Sequence, residues 1–223
     1  MDLSTVPNSV ANAQGHPRFG TYRGELPMVD LFRLKGAYRP DRLRRLIKRK
    51  RWQFSAIATS EVLLVTATVH AGYAANAFAY ALDLGREEVL FDHSFIALPD
   101  ALLKVNDKPS HGHDASFKTA GAKIWTRRIA GKEPFELDLD IGRLRSPLAG
   151  RIEGRGQILT EGQAAALTVI APVEDDGIVN VTQKWAGLPT TGHLKVGAKT
   201  FLLDDGVAGL DYTQGYLARR TAW

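Results

Sequence analysis

From Arg51 onward the chain repeatedly alternates apolar and polar residues with a period of two. The clearest run is 135–141, where Phe135, Leu137, Leu139 and Ile141 alternate with Glu136, Asp138 and Asp140. A period of two sends successive side chains to opposite faces of a β-strand, so three carboxylates share one face here. Arg127 and Arg128 lie one short turn upstream, placed to neutralise some of them across strands. In the run that starts at Arg51, Trp52, Phe54, Ala56 and Ala58 share one face, and Arg51, Gln53 and Ser55 take the other. Runs 62–70 and 73–83 follow closely and are rich in Val, Thr, Tyr and Ala, as neighbouring antiparallel strands are. Further runs continue to about Leu203, separated by turn signals such as Lys108-Pro109, Gly131-Lys132-Glu133-Pro134 and Asp204-Asp205-Gly206. Many short strands with almost no helix predict an all-β fold, an antiparallel barrel or sandwich.

One segment breaks the pattern. In Pro40–Lys50, PDRLRRLIKRK, Leu43, Leu46 and Ile47 fall at i, i+3, i+4 spacing on a background of Arg and Lys. Pro40 suits a first helical position and Asp41 suits the positive N-terminal end of a helix. The expectation is a short basic helix whose three apolar residues pack across one end of the sheet. No aromatic stacking set or second basic patch accompanies it, so a nucleic-acid partner is not expected.

Residues 1–18 are polar and aperiodic and read as a disordered tail. They present neither the basic nor the apolar region of a secretory signal, and the chain is expected to be cytoplasmic. Its longest apolar runs fall far short of a transmembrane segment. The sequence holds no cysteine, which removes disulfides, thiolate metal sites and thiol nucleophiles. Ser110-His111-Gly112-His113-Asp114 offers two histidines one residue apart, but no third or fourth ligand is in view, so no metal is expected. There is no phosphate loop, dinucleotide glycine fingerprint or Gly-x-Ser-x-Gly elbow, and no cofactor is expected. Gly154 and Gly156 share a face with Ile152 and Ile158, which marks either a bend or room for a ligand.

The densest position-specific chemistry lies at 210–223, LDYTQGYLARRTAW. Gly24-Glu25-Leu26-Pro27, Leu34-Lys35-Gly36 and Lys50-Arg51-Trp52-Gln53 resemble the opening of the bacterial family called domain of unknown function 2804. Leu188-Pro189, Gly192, Leu194 and Gly197 resemble its second block, with Leu210-Asp211-Tyr212, Gly215 and Arg220-Thr221-x-Trp223. The chain departs from the pattern at Tyr212, where the family usually carries Trp. The pattern also continues past the final Trp, so the chain looks C-terminally truncated. The resemblance implies paired lipocalin-like β domains with an apolar cavity, distantly similar to calycin-like carotenoid-hydratase and tocopherol-cyclase-type barrels. On that view residues 19–187 form a barrel domain and residues 188–223 begin a second, incomplete β domain.

In the hydratase relatives an aspartate donates a proton to an alkene, and the resemblance carries that role to Asp211. A carboxylic acid that protonates carbon must be partly desolvated. Tyr212, Tyr216 and Trp223 offer apolar walls and π faces for a ligand, with Arg220 beside them. His193 is a candidate base or orienting group, and His70 reads as structural. Three functions stay open: carriage of a hydrophobic small molecule or lipid, cofactor-free acid catalysis on an apolar substrate, and a ligand-free structural module.

Overall fold

The computed structural model describes residues 2–142, 145, 148–174 and 177–218. Its elements are β1 (Ser4–Thr5), β2 (Gly20–Arg23), α1 (Arg42–Lys48), β3 (Arg49–Ala58), β4 (Val62–His70), β5 (Ala75–Asp83), β6 (Glu88–Ala97), β7 (Leu103–Val105), β8 (Asp114–Thr119) and β9 (Ala122–Arg127). They continue with β10 (Phe135–Ile141), β11 (Ile152–Ile158), β12 (Leu167–Pro172), β13 (Val179–Val196), β14 (Lys199–Leu202) and β15 (Val207–Tyr216). The main path runs β6-β5-β4-β3-β15-β13-β11-β10-β9-β8-β7 and is antiparallel throughout. It curls into a nearly closed barrel, as the alternation predicts. Phe95 of β6, one end of the path, stacks at 5.1 Å on Phe117 of β8, the strand next to its other end.

The long strand β13 organises the curl. Its first half pairs with β12 and its second half with β11, while β15 runs along its other side. The pairing with β15 slips between Trp185 and Leu188, where Gly187 adopts φ +70°. Such a bulge bends the strand and increases its twist, which lets one strand serve two sheet directions. The strand passes without a break through positions 187 and 188. In the stretch 2–18, β1 pairs with β2 and Val10 is fully buried.

The alternation in β10 is realised as written. Phe135, Leu137, Leu139 and Ile141 are buried, and the carboxylates face outward. Lys123 reaches Asp138 at 2.6 Å, Arg127 reaches Glu136 at 2.6 Å and Arg151 reaches Asp140 at 3.0 Å. Arg128 does not join this lattice. One residue past Arg127 it points inward, where it bonds Glu25 at 2.8 Å and Glu133 at 3.0 Å.

The glycines of β11 do not leave a ligand space. A Cβ on Gly156 would lie 3.2 Å from Ile57, and one on Gly154 would lie 3.3 Å from Leu139. The space a side chain would fill is already taken by the packed core.

Candidate functional site

In β3 it is the polar face that turns inward. Gln53 and Ser55 are buried, whereas Trp52 and Phe54 are half-exposed on the outside. Strand register then builds a polar ladder. Tyr216 lies opposite Arg49, Gln214 opposite Arg51, and Tyr212 opposite Gln53. On the other side Arg51 lies opposite His70, Gln53 opposite Thr68, and Ser55 opposite Thr66. Partners in register share a face, so these residues form one lining that descends from the barrel end near α1.

The upper rungs are ionic. Arg49 pairs with Asp107 at 2.5 Å. Arg51 donates to the Val105 carbonyl at 2.7 Å and lies 3.5 Å from Asp100. Gly72 N–H donates to His70 Nδ1 at 3.2 Å, which leaves Nε2 to carry the proton donated to Asp100, also at 3.2 Å. Burial and the neighbouring Arg51 hold the His70 imidazole below its ordinary pKa, so it is neutral near pH 7. The Tyr212 hydroxyl donates to the Asn106 carbonyl at 2.8 Å. A hydroxyl has one proton, so its 2.5 Å contact with Gln214 is with the amide nitrogen, which also reaches Asp107, while the amide oxygen accepts from Arg49.

Several polar atoms here have no protein partner. The hydroxyls of Tyr216, Thr66 and Thr68 and Nε of Arg51 are buried with no hydrogen bond among the described residues. Burying a polar atom without a bond is unfavourable, so such atoms mark places that take water or a ligand.

The Tyr216 end opens into a pocket of about 340 Å³. Arg42 and Arg45 of α1, Arg49 and Arg51 of β3, His70, Asp100 and Tyr216 line its polar side. Phe32 and Leu46 supply its apolar wall. Four guanidiniums face two carboxylates, Asp100 in the pocket and Asp107 behind it, so the site is cationic. Asp41 caps α1 by accepting from Arg44 N–H at 2.8 Å. The helix ends at Arg49, whose extended backbone leads directly into β3. The chain itself therefore carries Arg42 and Arg45 to the pocket rim.

The residues singled out from the sequence fall in three places. Tyr212 and Tyr216 belong to the inner ladder. Asp211 lies on the outer face of β15, ion-paired with Lys184 and accepting from Thr182 at 3.0 Å and Thr213 at 3.1 Å. It borders a groove of about 570 Å³ with Phe54, Leu167 and Trp185. His193 borders a different outer groove, of about 370 Å³, with Trp125, Arg155 and Gln157. The structure thus does not bring Asp211, His193 and the two tyrosines together. Arg220 and Trp223 lie outside the described residues.

His113 is buried against Phe135 and Tyr212, and its Nδ1–H donates to the Lys108 carbonyl at 2.8 Å. Asp114 points outward to Trp125 Nε1–H at 2.9 Å. Among the described residues no cluster of His, Asp and Glu is arranged to hold a metal.

Sequence reasoning missed Arg45, Arg49, Arg51 and His70 as one site. Its signal was present, since Arg49, Arg51, Gln53 and Ser55 themselves alternate with a period of two.

Fold and site together define an antiparallel β-barrel protein with a polar lining and a cationic pocket at one end. The chain belongs to the family described as domain of unknown function (DUF2804), which matches residues 2–223. No curated protein matches it. Among solved structures it is similar to CghA, crystallised with Sch210972, with a TM-score of 0.50 and 13% identity over 90% of this chain. It is also similar to kievitone hydratase from Nectria haematococca, with a TM-score of 0.40 and 11% identity over 80% of this chain. It spans 57% of the first of those chains and 50% of the second. At 13% identity the likeness to the first of these shows the fold alone. Among the described residues no helix is long and apolar enough to cross a membrane.

Proposed function

We propose that this protein binds an amphipathic small molecule bearing one anionic group, such as a carboxylate or phosphate. The carrying observation is the Tyr216 hydroxyl, buried and without a protein partner in a pocket lined by four arginines. Arginine forks bind carboxylate and phosphate through charge-assisted hydrogen bonds, and a phenol supplies one more donor to the same oxygens. Phe32 and Leu46 receive the apolar portion. The sequence-level expectation of a hydrophobic small-molecule or lipid ligand is thereby narrowed to one with an anionic head.

Acid catalysis at Asp211 has less support. A carbon-protonating acid must hold its proton, and this carboxylate accepts hydrogen bonds from three side chains.

The test is isothermal titration with decanoate, decyl phosphate and uncharged decanol. The anions are expected to bind about tenfold or more tighter than decanol, as one charge-assisted contact implies. Arg45→Gln is expected to remove most of that preference. It is chosen because Arg45 has no carboxylate partner among the described ion pairs, unlike Arg49 and Arg51. Equal binding of decanol, or an unchanged preference in Arg45→Gln, would refute the proposal.

A further inference from the structure

The apolar stripe of α1 does not pack on the barrel end. Leu43 and Leu46 are each 66% exposed and Ile47 is 43% exposed, and no residue of the helix is buried. The physical reason lies in how the helix is seated. Its C-terminal backbone sits directly on the β4–β5 turn, where a Cβ on Gly72 would fall 2.5 Å from the Leu46 carbonyl oxygen. Backbone therefore meets backbone, and the stripe is turned away. Tyr73 in the same turn is 70% exposed, and Phe32 is 56% exposed. Five large apolar side chains thus stand in solvent around the mouth of one pocket, where isolated exposed residues would need no explanation but a cluster does.

The same segment is strongly basic. Exposed Arg39 and Arg42 lie in the same stretch of chain as the apolar residues, and exposed Arg33 and Arg44 ion-pair with Asp30 at 2.8 Å and Asp41 at 3.4 Å. Apolar side chains on a short amphipathic helix, flanked by arginines, match the chemistry of a membrane interface: acyl chains take the apolar tips and anionic headgroups take the guanidiniums. A protein partner with an acidic rim around an apolar centre is a narrower match, since it must also complement the shape of this rim.

We infer that this end of the barrel docks peripherally on an anionic lipid bilayer, through Leu43, Leu46 and Ile47 of α1 with Tyr73 and Phe32 beside them. Docking would set the pocket mouth against the bilayer. Leu46 and Phe32 are shared with the pocket wall, but Leu43, Ile47 and Tyr73 do not line the pocket, so docking can be tested through them separately from ligand binding.

The experiment is co-sedimentation of the full chain with vesicles of phosphatidylcholine alone and with phosphatidylglycerol included. Binding is expected to the anionic vesicles, to weaken with added salt, and to be weak on phosphatidylcholine alone. Arg39→Gln, at an exposed arginine with no carboxylate partner among the described ion pairs, is expected to lower the partition roughly fivefold. Leu43→Asp with Ile47→Asp is expected to lower it at least about tenfold. Both residues of that pair are already exposed, so the fold is expected to survive, and an unchanged far-UV circular dichroism spectrum checks it. Titration with decyl phosphate runs beside it: a variant that loses vesicles but keeps decyl phosphate separates the docking surface from the pocket. Docking is overturned if wild-type protein stays in the supernatant with phosphatidylglycerol vesicles. It is equally overturned if the aspartate pair sediments as wild type does, or if sedimentation velocity shows that these residues serve self-association and vesicles do not bind.

Discussion

Asp211 and Tyr212 are neighbours in the chain and lie on opposite sides of the barrel wall. The Asp211 carboxylate is outside, held by Lys184 and two threonine hydroxyls. The Tyr212 hydroxyl is inside, 2.8 Å from the Asn106 carbonyl oxygen and fully enclosed. A strand cannot aim two successive side chains at one ligand, so a site made of both would need a break in β15 that is absent.

Asp211→Asn is therefore expected to act locally. Its ion pair with Lys184 is partly solvated, and such pairs contribute no more than about 1 kcal/mol. Urea denaturation is expected to show a loss within that bound, and decyl phosphate affinity is expected to stay at the wild-type value. A large loss of affinity would place Asp211 in the site.

Tyr212→Phe removes a buried donor and leaves the Asn106 carbonyl and the Gln214 amide to find other partners. The expected cost is about 1–3 kcal/mol, read as a lower urea midpoint at an unchanged slope.

Tyr216→Phe is the contrasting case. Its hydroxyl has no protein partner to lose and is buried without a bond, so stability is expected to stay level or to rise, by up to about 1–3 kcal/mol. Decyl phosphate is expected to bind several-fold more weakly, because Tyr216 lines the pocket and its hydroxyl is the unpartnered donor there. Equal affinity of the two proteins would show that the hydroxyl plays no part in binding.

Acid sensitivity is expected to come in part from His113. Burial pushes its imidazole down to about 4 from an ordinary 6.5. Above pH 6.5 neither the folded nor the unfolded form is protonated, and the group contributes nothing. Between about 6.5 and 4 the unfolded chain takes up a proton that the folded protein does not, so stability falls with pH. By pH 4 the loss from this residue is of the order of 3 kcal/mol. His113→Asn keeps a side-chain donor for the Lys108 carbonyl but does not titrate. The wild-type minus variant difference in unfolding free energy, followed from pH 7.5 to 4, is expected to fall across that window.

Gly72→Ala tests how α1 is seated. The residue has φ +86°, and its new Cβ would fall 2.5 Å from the Leu46 carbonyl oxygen and 2.7 Å from that of Ile47. Backbone on both sides cannot yield without moving the helix, so a destabilisation of about 2 kcal/mol or more is expected. Decyl phosphate binding is expected to fall with it, since Arg42 and Arg45 ride on that helix.

Much of the architecture was legible because alternation is a local property. Phe135–Ile141 shows it plainly, and the short basic helix is legible in the spacing of Leu43, Leu46 and Ile47, although it begins at Arg42 with Asp41 as its cap and not at Pro40. The site was legible only in fragments. Tyr212 and Tyr216 were singled out, yet Arg49, Arg51 and His70 were not grouped with them, because they meet only through the pairing of β15 with β3 and of β3 with β4. Asp211 reads as part of the same cluster from sequence alone, because neighbours in a strand are adjacent in the chain and yet point to opposite faces.

Strand periodicity, the short basic helix, the family and the lack of cysteine all follow from residue type and short spacing. Tertiary structure decided which face of each strand turned inward. Apolar residues usually go inside, but in β3 it is Gln53 and Ser55 that are enclosed: Gln53 lies in register between Tyr212 and Thr68, and Ser55 lies opposite Thr66 with its hydroxyl 3.4 Å from that of Thr126. It also decided that the leucines of α1 stay in solvent, since the backbone of the helix, not its apolar stripe, meets the β4–β5 turn at Gly72. Both outcomes depend on partners distant in sequence, and a residue's period carries no information about what lies across from it.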